Sequence, residues 1–260
     1  MQMKNKTFVV IGIILLLFVF IALILTPISK KPRVKVKKTT LVRGRIAIVI
    51  DDWGYNLNNL PIMGQIKQPL TCAILPGLKN SNLVMQKLNN LGFEIILHLP
   101  MEPKEKYRLE KNTITTSMNA EEISSIFDMD LNSIFLARGI SNHMGSRVTE
   151  DEKTSRMVMT EAKKRKLYFF DSFVTNKSVC PALAKEINIR FAKRDVFLDN
   201  QDDFGYIKAQ LIKLKSLAKK QGFAVGIGHD RKNTLLLLKQ MLPQLNKEGY
   251  EFVLLSQVAR

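Results

Sequence analysis

The chain has 260 residues, 46% of them hydrophobic and 24% charged, which excludes a disordered or collagen-like polymer and leaves room for one large domain with an appendage. Its formal net charge is +17, yet residues 1–45 hold ten Lys or Arg and no acid, so the rest of the chain carries only +7. That basic excess is a local run suited to anionic lipid or wall polymer; no recognised nucleic-acid motif accompanies it, and no nucleic-acid partner is expected.

Residues 8–25, FVVIGIILLLFVFIALIL, form eighteen positions without a charge or a polar face, long enough as a helix to cross most of a ~30 Å hydrocarbon layer. Lys4 and Lys6 precede them, and the exit LTPISKK lacks a small-x-small cleavage site. Residues 1–28 are therefore expected to be one transmembrane signal anchor, with a cleaved signal peptide as the rival reading. Residues 29–44 follow as a basic linker. Lys30, Lys31, Arg33, Lys35, Lys37 and Lys38 there, against two cations upstream, would by themselves hold the C-terminal part in the cytoplasm. A substrate outside the membrane would demand the opposite.

From residue 45 to 260, short apolar runs alternate with amphipathic segments. Strands are expected at 46–50, 70–75, 95–99, 137–141, 167–170, 196–198, 224–228 and 252–255, each nearly continuous in Val, Ile, Leu or Phe, as for strands covered on both faces. Helices are expected at 81–91, 120–133, 150–166 and 203–221, with a last one closing near Gly249. Acids at their starts and cations or glycine at their ends suit the helix dipole and C-cap. This order predicts right-handed crossovers and a parallel α/β sheet; seven or eight strands in this length favour a compact, incomplete barrel. In such a fold the loops after the strands share one face.

The residues suited to chemistry sit at that address. All three histidines directly follow strand-like runs, in ILHLP (His98), GISNH (His143) and VGIGH (His229), and a fourth run, IAIVI, ends in Asp51 and Asp52. A lone histidine at a strand end is more often a loop or capping residue than a ligand. Here no imidazole is left over, and the acid pair shares the location. Two adjacent carboxylates repel unless a cation lies nearby, and imidazoles with carboxylates are groups that hold a divalent metal and move protons. Glu102 could be a ligand, a partner of a ligand or a loop acid. Arg147 flanks His143 in a stretch of small residues where backbone can approach a bound group. Asp171, Arg194 and Asp199 could orient the histidines, or Arg194 could simply pair with Asp195. Cys72 and Cys180, 108 positions apart, offer no thiolate metal motif, and a single disulfide stays open at this point.

Taken together, IVIDDWG, ILPG, ILHLPMEP, GISNHMGSR, YFFDS, RDVFLDN, IGH and FVLLS resemble, in order and from about Arg45 to Arg260, the divergent polysaccharide deacetylases. The resemblance implies a distorted (β/α) barrel of about seven parallel strands and a metal-dependent site removing acetyl groups from an amino-sugar polymer. It maps the first acid, Asp51, to the base, Asp52 to the metal and His229 to the proton donor. The wider superfamily's metal motif has two histidines four apart, whereas this chain has His98 followed by Glu102. His143 is expected as the third ligand, because it is the remaining imidazole and imidazole suits zinc, the expected ion, better than a loop carboxylate. The expectation is thus a single-pass membrane hydrolase with its domain on the periplasmic or extracellular side and a polysaccharide as substrate. The missing histidine and the altered flanks, Trp53 and Asp230, motivate an alternative: a glycan-binding or scaffold protein that keeps the barrel without turnover.

Overall fold

The computed structural model of the chain describes residue 14, residues 17–19 and residues 42–260. It divides into two units, Met1–Thr39 and Thr40–Arg260. The expected anchor at residues 8–25 lies outside the described residues, apart from residues 14 and 17–19, which are helical. Among the described residues no helix is long and apolar enough to cross a membrane.

The second unit holds nine strands: β1 (Gly44–Trp53), β2 (Thr71–Ile74), β3 (Glu94–Met101), β4 (Gly139–Met144), β5 (Tyr168–Asp171), β6 (Phe191–Lys193), β7 (Val196–Phe197), β8 (Phe223–His229) and β9 (Tyr250–Val253). Every strand pairing is parallel, along the path β6-β5-β4-β3-β2-β1-β8-β7, with β9 paired to the start of β1. No ladder joins β6 to β7 among the described residues, so the sheet is a parallel half-barrel. The count of about seven is corrected: each of the eight runs read as strands has its counterpart, β9 among them beside the start of β1, and the short β6 is added. A three-residue strand such as β6 gives no readable periodicity.

Seven helices cover the sheet: α1 (Leu60–Met63), α2 (Ser81–Asn90), α3 (Ala120–Ser133), α4 (Glu152–Lys164), α5 (Cys180–Ile187), α6 (Phe204–Gln221) and α7 (Lys232–Lys247). Their ends follow local chemistry. Asn119 closes a capping box with Glu122 at α3, Asp151 and Asp203 cap α4 and α6, and Gly222 ends α6 at φ 87°. The one-turn α1 and the eight-residue α5 were not expected from the sequence; both open on a proline in the first turn, which reads equally well as a loop signal.

Strand parity sorts the core into two layers. Ile46, Ile48 and Ile50 of β1 join the cluster between sheet and helices, while Ala47 and Val49 join Ala73, Ile96, Tyr168, Phe170, Val225 and Ile227 inside the curl. Asp51 continues the inward column of β1, His98 follows Ile96 in β3, His143 follows Ser141 in β4, and His229 follows Ile227 in β8. Period-two geometry therefore aims all four into the barrel mouth.

Candidate metal and acid–base site

Asp52 is one residue out of phase, and strict alternation would turn it outward. Instead it adopts φ 65°, in the left-handed region disfavoured for residues with a Cβ, and the β1·β2 register shifts between Ile50 and Trp53. This bulge brings both acids to one place. Asp52 Oδ1 lies 3.3 Å from His98 Nε2 and 3.1 Å from His143 Nδ1, and Asp51 Oδ2 lies 3.7 Å from His98 Nε2. Donor atoms of Asp52, His98 and His143 all fall within 4.8 Å of one another, a possible Asp/His/His metal site.

The imidazoles are held by their neighbours. His98 Nδ1 meets Ser141 Oγ at 2.7 Å across the β3·β4 ladder; with the proton on Nδ1 the Nε2 lone pair is available to an ion, and with the proton on Nε2 that atom donates to Asp52. The His98 and His143 rings stand edge to face, 5.0 Å apart. Burial resists ionisation of Asp52, but hydrogen bonds and charge from His143 and His98 outweigh it and hold this carboxyl well below the usual range. Asp51 behaves oppositely: burial raises its pKa, and the nearby histidines only partly offset that. Its Oδ1 is buried without a hydrogen-bond partner, so an acceptor waits there for a donor.

Asp51 and His229 are register partners in the β1·β8 ladder. His229 Nδ1 faces Asp199 Oδ1 at 2.7 Å, while Asp199 Oδ2 accepts from the His229 backbone N–H at 2.8 Å and from Thr234 Oγ1 at 2.6 Å. Burial favours neutral imidazole, yet the Asp199 hydrogen bond and charge, with Asp51 and Asp52 beyond, raise the His229 pKa. Burial likewise opposes the Asp199 charge, and His229 and Thr234 bring its pKa down. The result is a fixed carboxylate–imidazole pair in which Asp199 holds Nδ1 and favours the protonated ring. The Phe197 ring stacks on His229 at 6.0 Å, and Asp51, Asp52, the three histidines, Ser172, Val174 and Phe197 line a small cavity of about 200 Å³.

Other expected site residues are placed elsewhere. Glu102 turns away from His98; its Oε2 accepts from Thr116 N–H and Oγ1, and its Oε1 pairs with half-exposed Arg147 at 3.2 Å, so both brace the loop after β3. Asp171 has outward parity and touches no histidine: it accepts from Phe173 N–H and Ser178 Oγ. Arg194 donates to the Ser172 and Phe173 carbonyls and lies 3.7 Å over Phe197, bracing the cavity wall rather than forming an ion pair with Asp195. Gly228 makes room for Thr234 and Asp199, and Gly226 for Leu214 and Leu198, not for the imidazole. Ser141, Thr234 and Phe197 are contacts the sequence reading did not select; the inward position of Ser141 two residues before His143 was the available signal. Both cysteines are free and buried.

Residues 48–259 match the family model described as divergent polysaccharide deacetylase. The chain belongs to that family. Within the divergent polysaccharide deacetylases it is 34% identical to the Escherichia coli K12 protein YibQ over 205 residues, 79% of this chain and 64% of YibQ, so the match spans just under two thirds of that relative. Among solved structures it superposes on ATU2773 of Agrobacterium tumefaciens C58 with a TM-score of 0.79 and 22% identity, covering 83% of this chain and 89% of that one. It also resembles BA3943 of Bacillus anthracis, a CE4 family pseudoenzyme, with a TM-score of 0.50, 14% identity and coverage of 84% and 66%. These two likenesses show the shared fold.

Proposed function

We propose that the protein is a membrane-anchored, metal-dependent deacetylase of an acetylated amino-sugar polymer, with its domain on the periplasmic or extracellular side. The observation that carries this reading is the shared approach of His98 Nε2 and His143 Nδ1 to one Asp52 oxygen, with Asp51 and His229 paired on the adjoining ladder. The donor set fits a small divalent ion: one ionised carboxylate, two imidazoles from different strands, and Ser141 orienting one of them. Zinc is the ion this chemistry suits best. Bound there, it would polarise the acetyl carbonyl and make water more acidic.

The chain's own groups supply the rest. The unpartnered Asp51 Oδ1 accepts a proton from the attacking water, and burial makes it a stronger base than an exposed aspartate. Protonated His229, held by Asp199 through Nδ1, donates from Nε2 to the nitrogen that leaves as the amine. Ser172, Val174 and Phe197 wall the cavity, which takes an acetyl group and the edge of one sugar. The same N-terminal run supports the anchor: eighteen uncharged residues followed by a basic linker.

The test is metal content by mass spectrometry and acetate release from N-acetylated glycan by the full-length protein. About one ion per chain and chelator-sensitive acetate release support the reading. A metal-free protein that resists loading overturns it. Retained glycan binding unaffected by chelator, with no acetate released, would select the scaffold reading, which the pseudoenzyme neighbour keeps in view.

A further inference from the structure

The end of the half-barrel opposite the site is cationic. Because every strand is parallel, all strand starts lie at one end, and an exposed cation stands within a few residues before most of them: Arg43, Arg138, Lys166, Arg190, Lys220 and Lys247. The strand ends gather acids, Asp51, Asp52, Asp171, Asp199 and Asp230, of which Asp51, Asp171 and Asp199 are buried, and Lys193, Arg194 and Arg231 stand beside them. Part of this polarity answers helix dipoles, since α2, α4, α5, α6 and α7 finish with basic last turns. Each helix end contributes only about half a negative charge, however, so five ends balance roughly two or three cations. The remainder is surplus. Glu248 is already paired with Lys215, Glu94 is buried in bonds from Thr71, Tyr168 and the Ser256 N–H, and Asp195 accepts from the Val225 N–H, so that of these acids and Glu251 only exposed Glu251 is left to offset it.

The same end has an apolar seat. A groove of about 740 Å³ runs beside β6 and the start of β8, floored by Ile189, Phe191, Ala192, Phe223 and Val258, with Lys185, Arg190 and Arg260 among its rim against one acid, Asp195. Apolar floor and cationic rim are the two surfaces that an anionic amphiphile presents in complement. The polypeptide enters the domain here, at Arg43, directly after the basic run and the uncharged stretch of residues 8–25.

We propose that this cationic end is a docking face for an anionic phospholipid bilayer, which turns the acid-lined mouth of the barrel away from the membrane. The proposal is independent of whether the site deacetylates. Polybasic surfaces are drawn to anionic leaflets within about a Debye length, ~8 Å at physiological salt, so contact is salt-sensitive.

The test uses the full-length chain with a single donor dye. Both native cysteines are buried, so a cysteine introduced at exposed Glu251, on the cationic end, or at exposed Gln201, on the opposite rim, is labelled selectively. Energy transfer is read to acceptor lipid in vesicles of phosphatidylcholine alone or with about a third phosphatidylglycerol. Expected is strong transfer from the Glu251→Cys dye only with phosphatidylglycerol, weak transfer from the Gln201→Cys dye, and loss of the difference near 0.5 M salt. Combining Glu251→Cys with Arg138→Glu, Lys166→Glu, Lys185→Glu and Lys220→Glu should raise the lipid needed for half-maximal transfer at least tenfold. Equal transfer from both positions, or transfer that ignores phosphatidylglycerol, means the apolar N-terminal stretch alone holds the protein and overturns the proposal. Retention on an anionic wall polysaccharide without phosphatidylglycerol-dependent transfer overturns it in favour of a polymer-binding face.

Discussion

Asp52 Oδ1 and His143 Nδ1 approach to 3.1 Å although the two residues are ninety-one positions apart and lie on non-adjacent strands. The bulge in β1 makes this possible, since without the left-handed φ of Asp52 its carboxylate would leave the barrel. The bulge costs on the order of 1 kcal/mol or more in backbone strain, a cost a metal ligand can justify and a surface acid cannot.

Removing either partner tests the ligand set. Asp52→Ala and His143→Ala should each reduce bound metal at least about tenfold by elemental analysis, whereas Glu102→Ala, which only loosens the loop brace to Thr116 and Arg147, should leave metal content unchanged. Full metal in His143→Ala with loss in Glu102→Ala would reverse the assignment.

The Asp199–His229 pair gives a pH signature with a defined sign. The His229 pKa is raised, so its stabilising contribution is complete below the unfolded value near 6.5 and fades as pH rises through the folded one. The Asp199 pKa is lowered, so its contribution is complete above about 3.9 and fades as pH falls through the folded one. Asp199→Asn should therefore lower Tm most between about pH 4 and 6.5, followed by thermal melts across pH. In the deacetylation assay the alkaline limb, where His229 loses its proton, should move to lower pH.

Asp130, in α3, is buried and has Oδ2 unpartnered, with only Asn112 donating to Oδ1 at 3.2 Å. Burial pushes its pKa up to about 6, offset only in part by Asn112. A raised acid pKa means the folded state holds the proton more tightly, so stability falls as pH rises from about 4 to 6. Asp130→Asn should abolish that fall and gain about 1 kcal/mol at pH 8, with little effect at pH 4, as read by urea unfolding.

Gly228 tests the support behind the proton donor. A Cβ there would meet Thr234 Cγ2 at 2.8 Å and Asp199 Oδ2 at 3.6 Å. Gly228→Ala should cost about 1–3 kcal/mol and slow acetate release by displacing Thr234 from Asp199, with bound metal retained because Asp52, His98 and His143 lie on other strands. Loss of metal in this variant would show that the two halves of the site are not separable.

The sequence by itself determined the alternation of strand and helix, because buried parallel strands must be apolar runs and their crossovers amphipathic helices. It also marked Asp51, Asp52 and the three histidines, since polar side chains ending such runs have one shared face to reach. The tertiary structure alone decided which of the remaining groups meet them. Asp171 and Asp199 both stand at strand ends in the sequence, but parity turns one toward Ser178 and the other toward His229. Glu102, four residues after His98, is drawn off by Thr116 and Arg147. A loop's path and a one-residue bulge depend on contacts between distant segments, and no local pattern records those contacts.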